Sequence, residues 1–329
     1  MKKIIIVNTF IFFILFFFLE FSTRFLNIAN VLGHDKNLYA LNAVPRSHNP
    51  NVQSKAFGKT VFTDSYGFRV PKQNYKYNDS KKSILILGDS VTFGLGVEEE
   101  KSIIGILRAE NNKFNFYNTS VSGHNLKSYK DTLSKYIDTL KFQKVIIFIC
   151  LNDIYFHEGV QKKKIENDKK SFVQILKQNN IAVNINNFLR GKSALYVLIK
   201  SLMTNPRERY FNAAYPMYFN KNSLDMYEKY IFEMKNLSNK NKELVFILLP
   251  FEPQTRKDKC NEKNLKPQKI IKTILTKNNL KFFDFSNNFC EHPTPEDLYL
   301  KYDSAHLSVK GHSFLKTLIY NKKSILQLN

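Results

Sequence analysis

The sequence predicts an α/β fold, a parallel sheet with helices on both faces, from three observations. Short apolar runs rich in isoleucine recur along the chain, helix-compatible stretches separate them, and the first run stops at a glycine. The runs are residues 83–87, 114–117, 144–151, 243–249 and 280–285, and the stretches 101–111, 126–141, 224–237, 267–277 and 307–326 have helical spacings. Right-handed crossovers then leave only a few topologies.

Taken in chain order, Met1-Lys2-Lys3 precedes an apolar run from Ile4 to Leu19 that only Asn8 and Thr9 interrupt. A basic start followed by such a run is a membrane-targeting pattern. No small-residue cleavage site follows, because the chain continues Glu20-Phe21-Ser22-Thr23-Arg24-Phe25-Leu26. The run falls short of the roughly 20 residues a span needs, and residues 21–32 extend it. Residues 1–32 are therefore expected to be an uncleaved signal-anchor. It would make a single-pass membrane protein with the remainder on the extracytoplasmic side. Residues 33–80, rich in Asn, Pro, Ser and Tyr, read as a stalk that runs into an ordered lead-in at Asp64-Ser65-Tyr66-Gly67-Phe68-Arg69. The main domain is expected at 81–329. It carries an insertion at 155–222 between the third and fourth strands that could form a lid or a substrate wall.

A hydrophobic content of 43% in 329 residues is enough for one large core with an appended segment, and excludes a disordered chain. The net charge of +22 raises the question of nucleic acid. The excess is mostly lysine spread along the chain, without a zinc-finger, helix-turn-helix or ribonucleoprotein motif, so no nucleic-acid partner is expected. A solvated lysine-rich surface is the simpler account, with attraction to anionic lipid or acidic glycan as the alternative. Of the three cysteines, Cys150 sits in an apolar run and reads as a buried strand residue. Cys260 and Cys290 could pair in an oxidising compartment, and the spacing does not decide whether they do. There is no CxxC pair and no His-x-x-x-His, so neither a metal nor a cofactor is expected.

The chemistry is concentrated at strand ends. Gly88-Asp89-Ser90 follows the first strand, where open α/β sheets bind their ligands, and Asp303-Ser304-Ala305-His306 lies near the C-terminus. A serine hydroxyl needs a base to remove its proton, and His306 oriented by Asp303 could supply one. The negative charge of a tetrahedral intermediate needs donors as well. Candidates are the N–H groups of Ser90 and Gly123, in Val121-Ser122-Gly123-His124, and the amide of Asn152, in Leu151-Asn152-Asp153. An ordinary α/β-hydrolase elbow requires G-x-S-x-G, but Ser90 is followed by Val91-Thr92. Gly94-Leu95-Gly96 matches neither a dinucleotide fingerprint nor a phosphate loop, and reads as turn and packing glycines.

Gly88-Asp89-Ser90, Gly123, Asn152-Asp153 and Asp303-x-x-His306, in this order, resemble the four blocks of the SGNH (GDSL-type) hydrolase family, over residues 81 to 329. The resemblance implies a three-layer α/β/α sandwich with a flavodoxin-like parallel sheet of about five strands. It also implies a metal-independent esterase or acyltransferase mechanism, with catalytic Ser90, Asp303 and His306 and an oxyanion hole of Ser90, Gly123 and Asn152. One departure is visible: Cys150 stands where the third block commonly has glycine, which puts the size of the substrate pocket in question.

Each residue has a simpler reading. Ser90 could cap the helix that follows it. Asn152 could be a turn former, and Asp89, His124, His157 and His312 read as structural. Glu252 could line the pocket or not. The expected activity is a serine esterase acting on O-acyl esters, acetyl for example, of cell-surface or exported polysaccharide. The alternatives are an O-acyltransferase using the same acyl-enzyme, a lipase-like esterase, and a non-catalytic surface glycan-binding or assembly protein.

Overall fold

The computed structural model describes residues 2–26, 28–29, 31–40, 42–156, 180–238 and 242–327. The N-terminus forms one helix, α1 (Lys2–Phe25), with its isoleucine, leucine and phenylalanine side chains turned outward. It is long and apolar enough to cross a membrane.

The segment read as a stalk carries folded structure. Strands β1 (Tyr39–Ala40) and β2 (Ser47–His48) pair antiparallel, and β3 (Gln53–Ala56), β4 (Lys59–Thr63) and β5 (Arg69–Val70) make a three-stranded antiparallel sheet. Its polar composition conceals a period-two pattern, exposed and buried by turns along β3. Leu38, Tyr39, Ala56, Phe57 and Val61 are thereby buried against Phe93, Leu95 and Val121 of the main domain.

From there strand, helix and turn alternate as β6 (Lys82–Leu87), α2 (Ser90–Phe93), α3 (Ile103–Glu110), β7 (Phe114–Asn118), α4 (Leu126–Tyr136) and β8 (Lys144–Ile149). Among the described residues, the helices α5 (Asn180–Lys192), α6 (Ala194–Thr204), α7 (Pro206–Ala214) and α8 (Lys221–Ser238) lie between β8 and β9 (Glu243–Leu248). The chain ends with α9 (Glu252–Thr255), α10 (Lys266–Lys277), β10 (Lys281–Asp284), α11 (Ser286–Cys290) and α12 (Val309–Asn321).

Strands β6 to β10 form one parallel sheet in the order β10-β9-β8-β6-β7. Counted from β6 this is the flavodoxin-like order 2-1-3-4-5, and the order reverses between β6 and β8. Helices α3 and α12 pack together, as do α4 and α8, so the sheet is covered on both sides. The central strands read as unbroken apolar runs because both their faces are covered: Ile84 to Leu87, Val145 to Ile149 and Leu244 to Leu248 are all buried. The last helix starts later than its hydrophobic pattern suggests. Leu307 is bridged to Tyr299 in extended conformation, and Ser308 caps the helix by accepting from the Gly311 N–H.

Cys260 and Cys290, left open by the sequence, are joined in a disulfide, and Cys150 is a buried free thiol.

Candidate active site

Strand β6 delivers the chain to Gly88, where a side chain would collide with Thr92: a Cβ there would lie 2.1 Å from Thr92 Oγ1. Asp89 follows as the cap of α2, its Oδ1 accepting from the Val91 N–H at 2.8 Å. Ser90 is thus the first residue of a one-turn helix, and its N–H has no acceptor within that helix. The far end of the turn is held from the lead-in. The fully buried Arg69 guanidinium donates to the carbonyls of Phe93 at 2.5 Å, Gly94 at 2.8 Å and Val97 at 2.8 Å.

His306 arrives from the loop between α11 and α12. Asp303 shapes that loop, with Oδ1 accepting from the N–H groups of Ala305 at 2.8 Å and His306 at 2.9 Å. Its other oxygen, Oδ2, accepts from His306 Nδ1 at 2.8 Å. With Nδ1 donating, Nε2 is left to accept, and the Ser90 hydroxyl lies 2.8 Å from it. The structure thus brings together Ser90, His306 and Asp303, 216 and 3 residues apart in pairs. The loop is fixed to the start of α9, shortly beyond the end of β9, by a bond from the Glu252 N–H to the Ser304 carbonyl at 2.8 Å.

Burial pushes the His306 imidazole toward its neutral form, but the Asp303 charge and hydrogen bond, with Asp89 nearby, outweigh it and raise its pKa. Burial likewise opposes ionisation of Asp303, and the imidazolium and the backbone donors of the loop overcome it and lower its pKa.

Gly123, beyond the end of β7, has φ +82°, a left-handed conformation that favours glycine. Beyond β8, the Asn152 side-chain N–H donates to Asp89 Oδ2 at 2.8 Å, and the Asn152 Oδ1 is buried without a partner among the described residues. The next residue, Asp153, closes the turn by accepting from the Cys150 N–H and the Tyr129 hydroxyl, both at 2.7 Å. Burial pushes the Asp153 carboxyl well up, and the Asp89 charge adds to it. Cys150 has φ −118° and ψ 169°, extended backbone that needs no glycine, which is why the substitution there is accommodated.

The other histidines that sequence reading singled out are structural where described. His124 bonds the Arg46 carbonyl at 2.6 Å and His312 accepts from the Ile103 N–H at 3.2 Å. Burial holds their pKa values at about 4 and about 3. His157 lies outside the described residues. Glu252 is buried in an ion-pair cluster, gripped by Arg256 with contacts of 2.7 to 3.2 Å.

Sequence reading missed two residues beside the site, both in the supposed stalk. The Phe57 ring stands edge-on against His306, with centroids 5.6 Å apart, and the His34 ring packs against Phe57 at 5.2 Å. Arg69 was noted only as part of an ordered lead-in. A lone arginine in a polar segment signals burial only when the carbonyls it will bind are known.

Residues 86–314 match the sequence profile of the GDSL-like lipase/acylhydrolase family. No curated protein matches the chain significantly. Among solved structures, it is similar to a lipolytic protein of the G-D-S-L family from Veillonella parvula, with 12% identity over 73% of this chain and 97% of that one and a TM-score of 0.42. A lipase/acylhydrolase from Enterococcus faecalis gives 14% identity over 75% and 98%, with a TM-score of 0.41. The acetyl xylan esterase AlAXEase gives 15% over 73% and 98%, with a TM-score of 0.44.

Proposed function

Because the chain belongs to the GDSL-like lipase/acylhydrolase family, whose members hydrolyse esters, we propose that it is a membrane-anchored serine esterase acting on small O-acyl groups of exported or cell-surface polysaccharide. The observation that carries this reading is the His306 imidazole, bonded at 2.8 Å to Ser90 Oγ on one side and at 2.8 Å to Asp303 Oδ2 on the other.

In the reaction, His306 Nε2 takes the Ser90 proton as Oγ attacks the ester carbonyl carbon. The oxyanion is held by the Ser90 and Gly123 N–H groups and by the second amide hydrogen of Asn152, the first being committed to Asp89. As the tetrahedral intermediate collapses, the imidazolium gives its proton to the departing alcohol, which leaves Ser90 acylated. His306 then takes a proton from water, whose oxygen attacks the acyl carbon, and Ser90 recovers its proton when the acid leaves. Asp303 keeps the imidazole in the tautomer that accepts at Nε2 and stabilises the imidazolium.

A small acyl group is the reading that Phe57 favours, since its ring stands edge-on against His306 with centroids 5.6 Å apart and takes up space beside the histidine. The extracytoplasmic location is supported by the Cys260–Cys290 disulfide, a bond that persists in oxidising compartments, and by the basic Met1-Lys2-Lys3 start of an apolar helix.

The test is p-nitrophenyl acetate hydrolysis by the full chain in detergent, beside Ser90→Ala and His306→Ala, followed by acetate release from O-acetylated polysaccharide. Loss of turnover in both variants is expected; a Ser90→Ala protein with full activity sinks the proposal. Labelling by a fluorophosphonate without turnover would redirect it to acyl transfer onto an acceptor hydroxyl.

A further inference from the structure

Two of the helices between β8 and β9 expose an apolar surface that the catalytic site does not use. On α5, Ile185 and Phe188 are 54% and 65% exposed, one turn apart on a single face. On α6, Ile199, Leu202 and Met203 are 50%, 68% and 80% exposed, again on one face. Isolated apolar side chains on a surface need no explanation, but two adjoining helix faces of this kind mark a place where something docks.

The position of these helices identifies the partner. The Glu20 carboxylate, near the C-terminal end of α1, accepts from the Ser193 hydroxyl at 2.7 Å and from the N–H groups of Ala194 and Leu195, each at 2.9 Å, so it caps α6. Arg24 pairs with Glu20 at 2.6 Å and donates to the Lys192 carbonyl at 2.6 Å. The junction of α5 and α6 is thereby fastened to the end of the apolar helix. Beside the fastening lies a cleft of about 900 Å³ whose lining holds five basic side chains, Arg24, Lys36, Lys55, Arg190 and Lys192, against one carboxylate, Asp35. Apolar faces continuous with an apolar helix of spanning length, edged by cations, match the depth profile of a bilayer leaflet with anionic headgroups.

We propose that α5 and α6 lie in the membrane interface beside α1, with Ile185, Phe188, Ile199, Leu202 and Met203 among the acyl chains and Arg190 and Lys192 at the lipid phosphates. The proposal rests on the reading of α1 as a membrane anchor, and it adds an orientation. From this platform a short path leads to the catalytic histidine: the Leu32 N–H donates to the Arg190 carbonyl at 2.7 Å, the Phe57 N–H donates to the Gly33 carbonyl at 2.7 Å, and Phe57 abuts His306. The site is therefore held close to the leaflet at a set height.

The experiment places an environment-sensitive nitrobenzoxadiazole label on single introduced cysteines of the full chain, reconstituted in phosphatidylcholine–phosphatidylglycerol vesicles that contain doxyl-labelled lipid. Phe188→Cys and Leu202→Cys report α5 and α6, Phe12→Cys reports α1, and Phe232→Cys, exposed on α8, serves as the aqueous reference. The expected result is a blue shift and doxyl quenching at 188 and 202 comparable to position 12, with neither at 232. Shielding at 12 together with water-like emission at 188 and 202 overturns the proposal and leaves the anchor standing. Water-like emission at 12 removes the anchor, and the proposal with it.

Discussion

The side-chain amide of Asn152 is bonded to Asp89, Nδ2 to Oδ2 at 2.8 Å, although the two residues come from different strand ends 63 positions apart. The reverse orientation would set an amide oxygen against a carboxylate, so Asp89 fixes which way Asn152 faces. Asp89 thus acts twice, capping the helix of Ser90 and orienting the Asn152 amide that we propose as an oxyanion donor. Replacing Asn152 by Ala is expected to lower kcat by about 10²–10³-fold. Asp89→Ala should lower both kcat and the melting temperature, since loss of a helix cap costs about 1 kcal/mol. Steady-state kinetics with thermal melts separate the two effects, and an unchanged kcat in Asn152→Ala excludes that residue from the reaction.

The pH dependence has opposite signs for rate and stability. The proposed mechanism needs His306 neutral, and its pKa is raised, so kcat/KM should climb with pH through a midpoint above the ordinary imidazole value of 6.5. The same raised pKa gives stability that is complete below the unfolded-state pKa and is lost as pH rises through the folded one. Asp303, with its pKa lowered, contributes stability above its unfolded pKa that is lost as pH falls through the folded value. A pH–rate profile read beside melts across the same range checks both.

Asp303→Asn leaves a group of similar shape but lets the imidazole take the wrong tautomer. A fall in kcat of about 10⁴-fold is expected, with the protein still folded. A loss below tenfold would mean that His306 is oriented by something else.

Phe57→Ala should widen the site beside His306. Each added methylene in a new apolar space is worth roughly 0.8 kcal/mol, and butyrate has two more than acetate, so the ratio of p-nitrophenyl butyrate to acetate kcat/KM should rise by up to about fifteenfold. An unchanged ratio would show that the acyl group lies elsewhere.

Reduction of Cys260–Cys290, which spans 30 residues, should cost about 3–4 kcal/mol on a chain-entropy account. Melts with and without dithiothreitol, compared with the Cys260→Ser/Cys290→Ser double variant, measure it.

The sheet was legible in the sequence because strands covered on both faces must be apolar throughout. Runs such as Ile84 to Leu87 and Val145 to Ile149 therefore stand out without any alternation. The residues now gathered around Ser90 were legible because turns at strand ends confine glycine, aspartate and asparagine to fixed places. The lead-in was not. Its strands are two to five residues long, and their buried partners, Phe93 and Val121, lie elsewhere in the chain. Arg69 and Phe57 act through long-range contacts that leave no local pattern.

Arg69 and His306 also stand at opposite ends of the order in which the chain is made. Chains emerge N-terminus first, so the arginine that braces the Ser90 turn is present before that turn leaves the ribosome. His306 follows 216 positions after Ser90. The Ser90 turn is consequently braced well before the histidine that it bonds has been made.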